Sequence, residues 1–188
     1  NWENCENKEK NYKIHFSFSG SKLFFNEKEV KGFDKERFFR VKSPKDLFLT
    51  ITSWNRVPSW DTQKKYNDNK FRWDIVLYQK DDELIVVNEL FLTDYLKWLW
   101  EVSESTNTEK IRTIIILART YARWYMTKAE KFVDEWYHAS DDPNVFQRYI
   151  GFWLEERSPK INKIVEETKD LIVTYDGELI KPWYFSSS

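Results

Sequence analysis

The residues able to carry chemistry in this chain are few in kind. His15 and His138 lie far apart in the sequence, and each alone reads as a structural or surface imidazole. Cys5 is the single cysteine, so no disulfide can form within the chain. The sequence has no phosphate loop, no nucleophile elbow and no helical His-Glu-x-x-His pattern. Carboxylates remain, together with an arginine in the middle of an apolar helical pattern, Arg119, and an excess of indole rings. Aromatic residues make up 18% of the chain, and its ten Trp drive that share. Aromatic rings cover the C–H faces of sugars well, so a saccharide groove is one use for them. Burying indole is also a large gain on folding, so most of the ten must be core.

The elements that would position such residues follow from periodicity. Tyr12, Ile14, Phe16 and Phe18 alternate as one face of a strand, a short strand over Leu23–Phe25 follows, and Leu47–Thr52 alternates again. Residues 53–69 carry Trp, Pro, Asp and Asn and read as an irregular loop. Phe71–Tyr78 and Leu84–Asn88 form a hairpin around Lys80-Asp81-Asp82. Thr93 caps a short helix running through Trp100. Thr106-Asn107-Thr108-Glu109 fits a capping box for the longest helix, on which Ile111, Ile114, Ile115, Ala118, Tyr121, Ala122 and Tyr125 recur at helical spacing. Asn144–Glu156 and Pro159–Lys169 read as two more helices, and Asp176-Gly177 as the turn of a C-terminal β-hairpin. Strands, then helices, then strands predict an α+β domain: antiparallel strands in the N-terminal part, a central long helix with two further helices, and that hairpin. Residues 1–10 are polar and expected to be disordered, leaving one domain over residues 11–188.

Composition narrows the function classes. Thirty Lys and Arg face 31 Asp and Glu, so no global field favours nucleic acid or an anionic membrane, and no nucleic-acid partner is expected. No apolar run reaches the roughly 20 residues of a membrane span. The chain opens on Asn1 without a signal-peptide pattern and closes on Ser186-Ser187-Ser188, which reads as a piece of a longer protein.

Four segments in order resemble the SpoIID/LytB domain family. Val87-Asn88-Glu89-Leu90 through Asp94-Tyr95-Leu96 is similar to the family's N-x-L-x-L-E-D-Y-L, and Ala118-Arg119-Thr120-Tyr121-Ala122 to its A-A-R-[ST]-Y-A. Gln147-Arg148-Tyr149-Ile150-Gly151 is similar to Q-x-Y-x-G. Val165-Glu166-Glu167-Thr168 with Leu171–Gly177 resembles A-V-x-x-T-x-G-x-V-L-x-Y-[ND]-G, and Tyr184–Ser188 the start of F-H-S-x-S-G-G. The chain stops inside that last motif.

The resemblance implies handling of peptidoglycan glycan strands in one of two ways. Some members are lytic transglycosylases that cut strands stripped of peptide stems; others are non-catalytic enhancers of a cell-wall amidase, which makes an amidase a second candidate partner. The family's catalytic Glu lies in S-E-M-P, which is not intact here. Counting back without gaps from Ala118–Ala122 places that position on Glu101; Glu104 is the alternative. Trp98, Leu99 and Trp100 precede Glu101 and could form the apolar wall that raises an acid's pKa. Glu109 matches a Glu at the helix start and reads as a cap. Arg119 either fixes the Glu or a sugar group, or makes a structural salt bridge. Gln147, Tyr149, Trp98, Trp100, Ser186, Ser187 and Ser188 are expected to bind substrate, and Trp183 to adjoin them. Some members hold zinc just before Q-x-Y. Here Ser140–Phe146 has neither Cys nor His, so no zinc and no other cofactor is expected. The implied location is extracytoplasmic, secreted or held at the envelope by a segment outside this chain.

Overall fold

The computed structural model describes residues 16–19, 22–31, 38–43, 48–80, 83–128 and 131–184. Tyr12, Ile14, His15, Cys5, the segment 1–10, Asp81, Asp82 and Ser186–Ser188 lie outside the described residues. The chain divides into two compact units, residues 1–41 with 75–87 and residues 42–74 with 88–188. The architecture is α+β.

The first unit is built from strands. β1 (Phe16–Ser19), β2 (Lys22–Phe25) and β3 (Lys28–Glu29) form an antiparallel sheet in that order, with Phe16 opposite Phe25. Asn26 and Glu27 both take positive φ between β2 and β3, the backbone that a two-residue hairpin demands. β4 (Phe38–Val41) pairs antiparallel with β7 (Asp74–Lys80), which also neighbours β8 (Glu83–Glu89). With a neighbour on each side, β7 buries every residue from Ile75 to Gln79, as a central strand does.

The second unit holds the helices. α2 (Thr108–Lys128) buries Ile111, Ile114, Ile115, Ala118, Ala122 and Tyr125, three and four residues apart. Its start corrects the expected capping box. The cap is Asn107, whose Oδ1 accepts the Glu109 N–H at 2.9 Å while its carbonyl accepts the Ile111 N–H at 3.0 Å. Thr106 therefore stands one residue before the cap. α1 (Leu92–Lys97) is shorter than expected, and Thr93 lies inside it; the cap position is Phe91, with no side-chain bond to the helix. α4 (Pro159–Glu167) starts with Pro at its first position, where the missing N–H costs nothing. It buries Ile161, Ile164 and Val165, and α1, α2 and α4 pack on one another. Each such aliphatic side chain contributes about 1.5–3 kcal/mol on burial.

The expected helix over 144–156 does not form. Residues 142–150 run as turns and extended backbone, and only α3 (Trp153–Arg157) is helical. β5 (Leu49–Thr50) pairs with β6 (Lys70–Phe71), and between them residues 51–69 form the irregular loop. β9 (Thr174–Tyr175) and β10 (Glu178–Leu179) make the C-terminal hairpin, with Asp176 and Gly177 at φ 49° and 80°.

Candidate functional site

Two stretches far apart in sequence meet after α1. Leu99 bridges Tyr149 in antiparallel fashion. The Ile150 N–H donates to the Trp98 carbonyl and the Trp100 N–H to the Arg148 carbonyl, each at 2.9 Å. This short ladder fixes which way Glu101 points. Its Oε1 accepts the main-chain N–H of Arg148 at 2.9 Å. Glu101 is half-buried.

Glu104 is placed differently. Its Oε1 accepts the Lys160 N–H at 2.6 Å and its Oε2 the Ile161 N–H at 3.1 Å. Both are unpaired amides in the first turn of α4, whose own cap residue, Ser158, makes no side-chain bond to them. A carboxylate is favoured at that positive helix end. Glu104 is thus a helix cap supplied from another part of the chain. Both of its oxygens are occupied, whereas Glu101 is held at one oxygen by the Arg148 amide.

Three phenols feel the charge of the Glu101 carboxylate, and one of them, Tyr184, hydrogen-bonds to it. Burial, and then the negative charge of Glu101, push the Tyr184 phenol above its ordinary range. Burial raises Tyr95 well above that range, with Tyr184 and Glu101 adding to it. Tyr121 is raised by burial, by its hydrogen bond with Tyr125 and by Glu101. All three therefore stay protonated at neutral pH. Gln147 is buried among them: its Oε1 accepts the Tyr95 hydroxyl at 3.0 Å, and its Nε2 donates to the Ala118 carbonyl at 3.1 Å and to the Tyr184 hydroxyl at 2.6 Å. Because Tyr184 accepts from Gln147, its own O–H hydrogen is available to Glu101.

The remaining expected site residues divide between this cluster and the core. Tyr149 is buried; its hydroxyl donates to Asn88 Oδ1, and Asn88 Nδ2 donates to the carbonyls of Arg72 and Asp74. Trp98 is 0% exposed, its indole N–H donating to Glu155 at 3.0 Å, so it is a core residue and offers no face to a ligand. Trp100 is half-buried, with the Arg148 guanidinium 5.8 Å above its ring. Trp183 is 79% exposed, and the Lys181 ammonium lies 5.5 Å from its ring.

Arg119 is 2% exposed and points to α4, not to Glu101. Its guanidinium donates to the Val165 carbonyl (3.1 Å), the Leu171 carbonyl (3.2 Å) and Thr168 Oγ1 (3.2 Å). These acceptors are neutral, so neither a salt bridge nor a sugar contact describes it. It is a clamp on the C-terminal turn of α4, where a cation meets the negative helix end. Burial accordingly lowers its pKa, with Asp170 and Glu166 opposing. Glu109 sits exposed in the first turn of α2, near Arg112. Asp141 pairs with Arg56 at 3.0 Å, and Asp142 Oδ1 accepts the Asn144 N–H. Among the described residues no three His, Cys, Asp or Glu side chains converge as a metal ion would require.

Sequence reasoning missed Arg148, Asn88 and Tyr184 as site residues. Each lies within a quoted motif: Arg148 between Gln147 and Tyr149, Asn88 in the first segment and Tyr184 at the head of the last. The motifs themselves were the signal, but each residue's contribution depends on contacts that only the fold creates.

The model of the SpoIID family, described as stage II sporulation protein, matches residues 80–175, just over half of the chain. The chain is also similar to an uncharacterized protein of Brachyspira hyodysenteriae, 32% identical over 110 residues. That alignment covers 57% of this chain and 28% of the Brachyspira protein, so the chain spans well under half the length of this curated relative.

Proposed function

This chain belongs to the SpoIID family, and from that premise we propose that it binds peptidoglycan glycan strands and cleaves them as a lytic transglycosylase, with Glu101 as the one catalytic carboxyl group. Family membership suggests a cell-wall-related role. The observation that carries the finer reading is the contrast between two carboxylates three residues apart. Glu104 has both oxygens on helix amides, whereas Glu101 is held at one oxygen by the Arg148 N–H and lies half-buried beside the Tyr184 phenol.

The chemistry needs one proton carrier. Glu101 gives its proton to the glycosidic oxygen as the C1–O bond breaks and oxocarbenium-like charge develops at C1. The resulting carboxylate then accepts the proton of the same sugar's 6-hydroxyl, whose oxygen bonds to C1 and closes a 1,6-anhydro ring. No water is consumed, and Glu101 ends protonated as it began. A sugar lying over Glu101 would exclude water, which favours the neutral acid. The Arg148 amide fixes the carboxyl's direction, and the Tyr184 hydroxyl supports its charged form between the two steps. Gln147 and Tyr95 hold Tyr184 in place. Peptidoglycan as substrate implies an extracytoplasmic location and makes a cell-wall amidase a candidate partner.

Incubation with glycan stripped of peptide stems should release 1,6-anhydro-terminated fragments, detected by mass spectrometry. Glu101→Gln should slow release by at least about 100-fold, the usual share of a general acid, while Glu104→Gln retains it. Products of unchanged yield from Glu101→Gln would sink the assignment. Intact glycan binding with no products at high protein load would leave the accessory, amidase-enhancing reading in its place.

A further inference from the structure

The loop between β5 and β6 lies before the family match, which begins at residue 80. It is nonetheless well ordered. Asn67 Oδ1 accepts the Arg56 N–H at 2.8 Å, Asp61 accepts the Tyr66 N–H at 2.6 Å, and Asn69 donates to the Ile51 carbonyl at 3.1 Å. A buried ion pair, Asp68 with Arg157 at 2.8 Å, ties the loop to α3.

The loop carries Trp60 to within 6.3 Å of Trp100, the residue beside Glu101. Trp60 is 50% exposed and lies 5.5 Å from Tyr66, which in turn lies 6.2 Å from Trp153. The four rings make a continuous ladder that starts next to the candidate acid. All four have a cation against them: Arg148 over Trp100 (5.8 Å), Arg157 over Trp60 (5.7 Å), Lys65 over Tyr66 (5.6 Å) and Lys70 over Trp153 (3.7 Å). Arg157 and Arg56 nearby are neutralised by Asp68 and Asp141. Arg148, Lys65 and Lys70 form no ion pair among the described residues.

We infer that this ladder is an extended binding strip for an acidic glycan, its aromatic rings covering sugar faces and its three cations meeting carboxylates borne by the sugars. The inference rests on the reading of Glu101 as the cleavage site, because the strip continues from it. The chemistry argues for this occupant. Rings alone would suit any sugar, and the cations add a demand for negative charge that a neutral chitin-like strand cannot meet. N-acetylmuramic acid without a peptide stem presents such a charge, the free carboxylate of its lactyl ether. A preformed loop also loses little freedom on binding.

The test uses the full chain carrying Glu101→Gln, so that binding is measured without turnover. Titration calorimetry compares stem-free glycan with the same glycan whose carboxylates have been converted to amides. The acidic form should bind at least about fivefold tighter, the scale of a partly exposed charge pair. Lys65→Gln should shrink that preference. Trp60→Ala should weaken both by about tenfold, as loss of a stacking anchor does. Its half-exposed position lets it be replaced without harm to the core, and an unchanged unfolding midpoint confirms this. Equal affinity for the two glycans overturns the inference, as does Trp60→Ala binding like the parent or an oligothymidylate of similar length displacing the glycan. Failure to detect anhydro products from the parent chain, with these preferences intact, would refute the cleavage reading and leave the strip standing.

Discussion

Replacing Arg119 by Met should destabilise the protein without touching the Glu101 cluster. The change removes the donors to the Val165 and Leu171 carbonyls and to Thr168 Oγ1. Thr168 keeps its own bond to the Ile164 carbonyl at 2.8 Å, so its loss is small. Leu171 is 51% exposed and water can replace the lost donor there. The Val165 carbonyl, in the buried turn, loses a charge-assisted bond, and orphaning such an acceptor costs about 1–3 kcal/mol. Loss of a cation at the C-terminal end of α4 adds roughly 0.5–2 kcal/mol. Removing a buried charge returns part of this. The expected net loss is about 2–4 kcal/mol, read from urea unfolding by tryptophan fluorescence with an unchanged slope. Arg119→Lys should recover less than half, because an ammonium cannot span two carbonyls as the planar fork does. A midpoint within error of the parent for Arg119→Met, or full recovery by Lys, would refute the clamp. Weaker glycan binding by folded Arg119→Lys would instead reinstate the sugar contact.

Further outcomes follow from other contacts. Glu104→Ala leaves the Lys160 and Ile161 amides without their acceptor and should lower stability by about 1–2 kcal/mol in the same assay. Gly151→Ala should cost about 2–4 kcal/mol, since φ is +98° and a Cβ would lie 2.8 Å from the Lys70 carbonyl oxygen and 3.1 Å from the Phe71 ring. It should also impair cleavage, because the Trp98–Trp100 ladder hangs on the adjacent residues. Asp68 gives a pH dependence. Burial raises its folded pKa above the ordinary 3.8, with Arg157 opposing. Its contribution is therefore full below the unfolded pKa and lost as pH rises through the folded one. Asp68→Asn should remove that part of the decline when thermal midpoints are followed from acid pH to neutrality; an unaltered profile would count against it.

The sequence made some elements plain because their causes are local. α2 could be read from apolar positions three and four apart, and the C-terminal hairpin from Asp176-Gly177, the pair whose φ values are positive. The segment 144–156 misled for a physical reason. Phe146, Tyr149, Ile150 and Trp153 sit at helix-like spacing, yet Gly151 takes a left-handed φ and the backbone of 148–150 bonds to 98–100 instead. Such pairing joins residues about fifty apart and leaves no local trace. The capping role of Glu104 was hidden for the same reason, as it turns on α4 needing acceptors at Lys160 and Ile161. Trp98 looked like a ligand platform beside the motif, but its indole N–H found Glu155 inside the fold. Arg119 stood out as a cation among apolar neighbours; what the sequence could not show was that carbonyls, not carboxylates, answer it.

The side-chain amide of Gln147 cannot be turned around. The atom facing the Ala118 carbonyl must be the NH2 group, which leaves only the oxygen for the Tyr95 hydroxyl. Every hydrogen in the relay then has an assigned direction, running from Tyr95 through the amide and Tyr184 toward Glu101. An aspect of α2 as ordinary as the carbonyl of Ala118 thus sets the polarity of the whole chain of donors. Inverting that polarity, as Gln147→Glu would by taking away the NH2 group, should free the Tyr184 hydroxyl to turn from Glu101 to the new carboxylate and leave the acid without its neighbour.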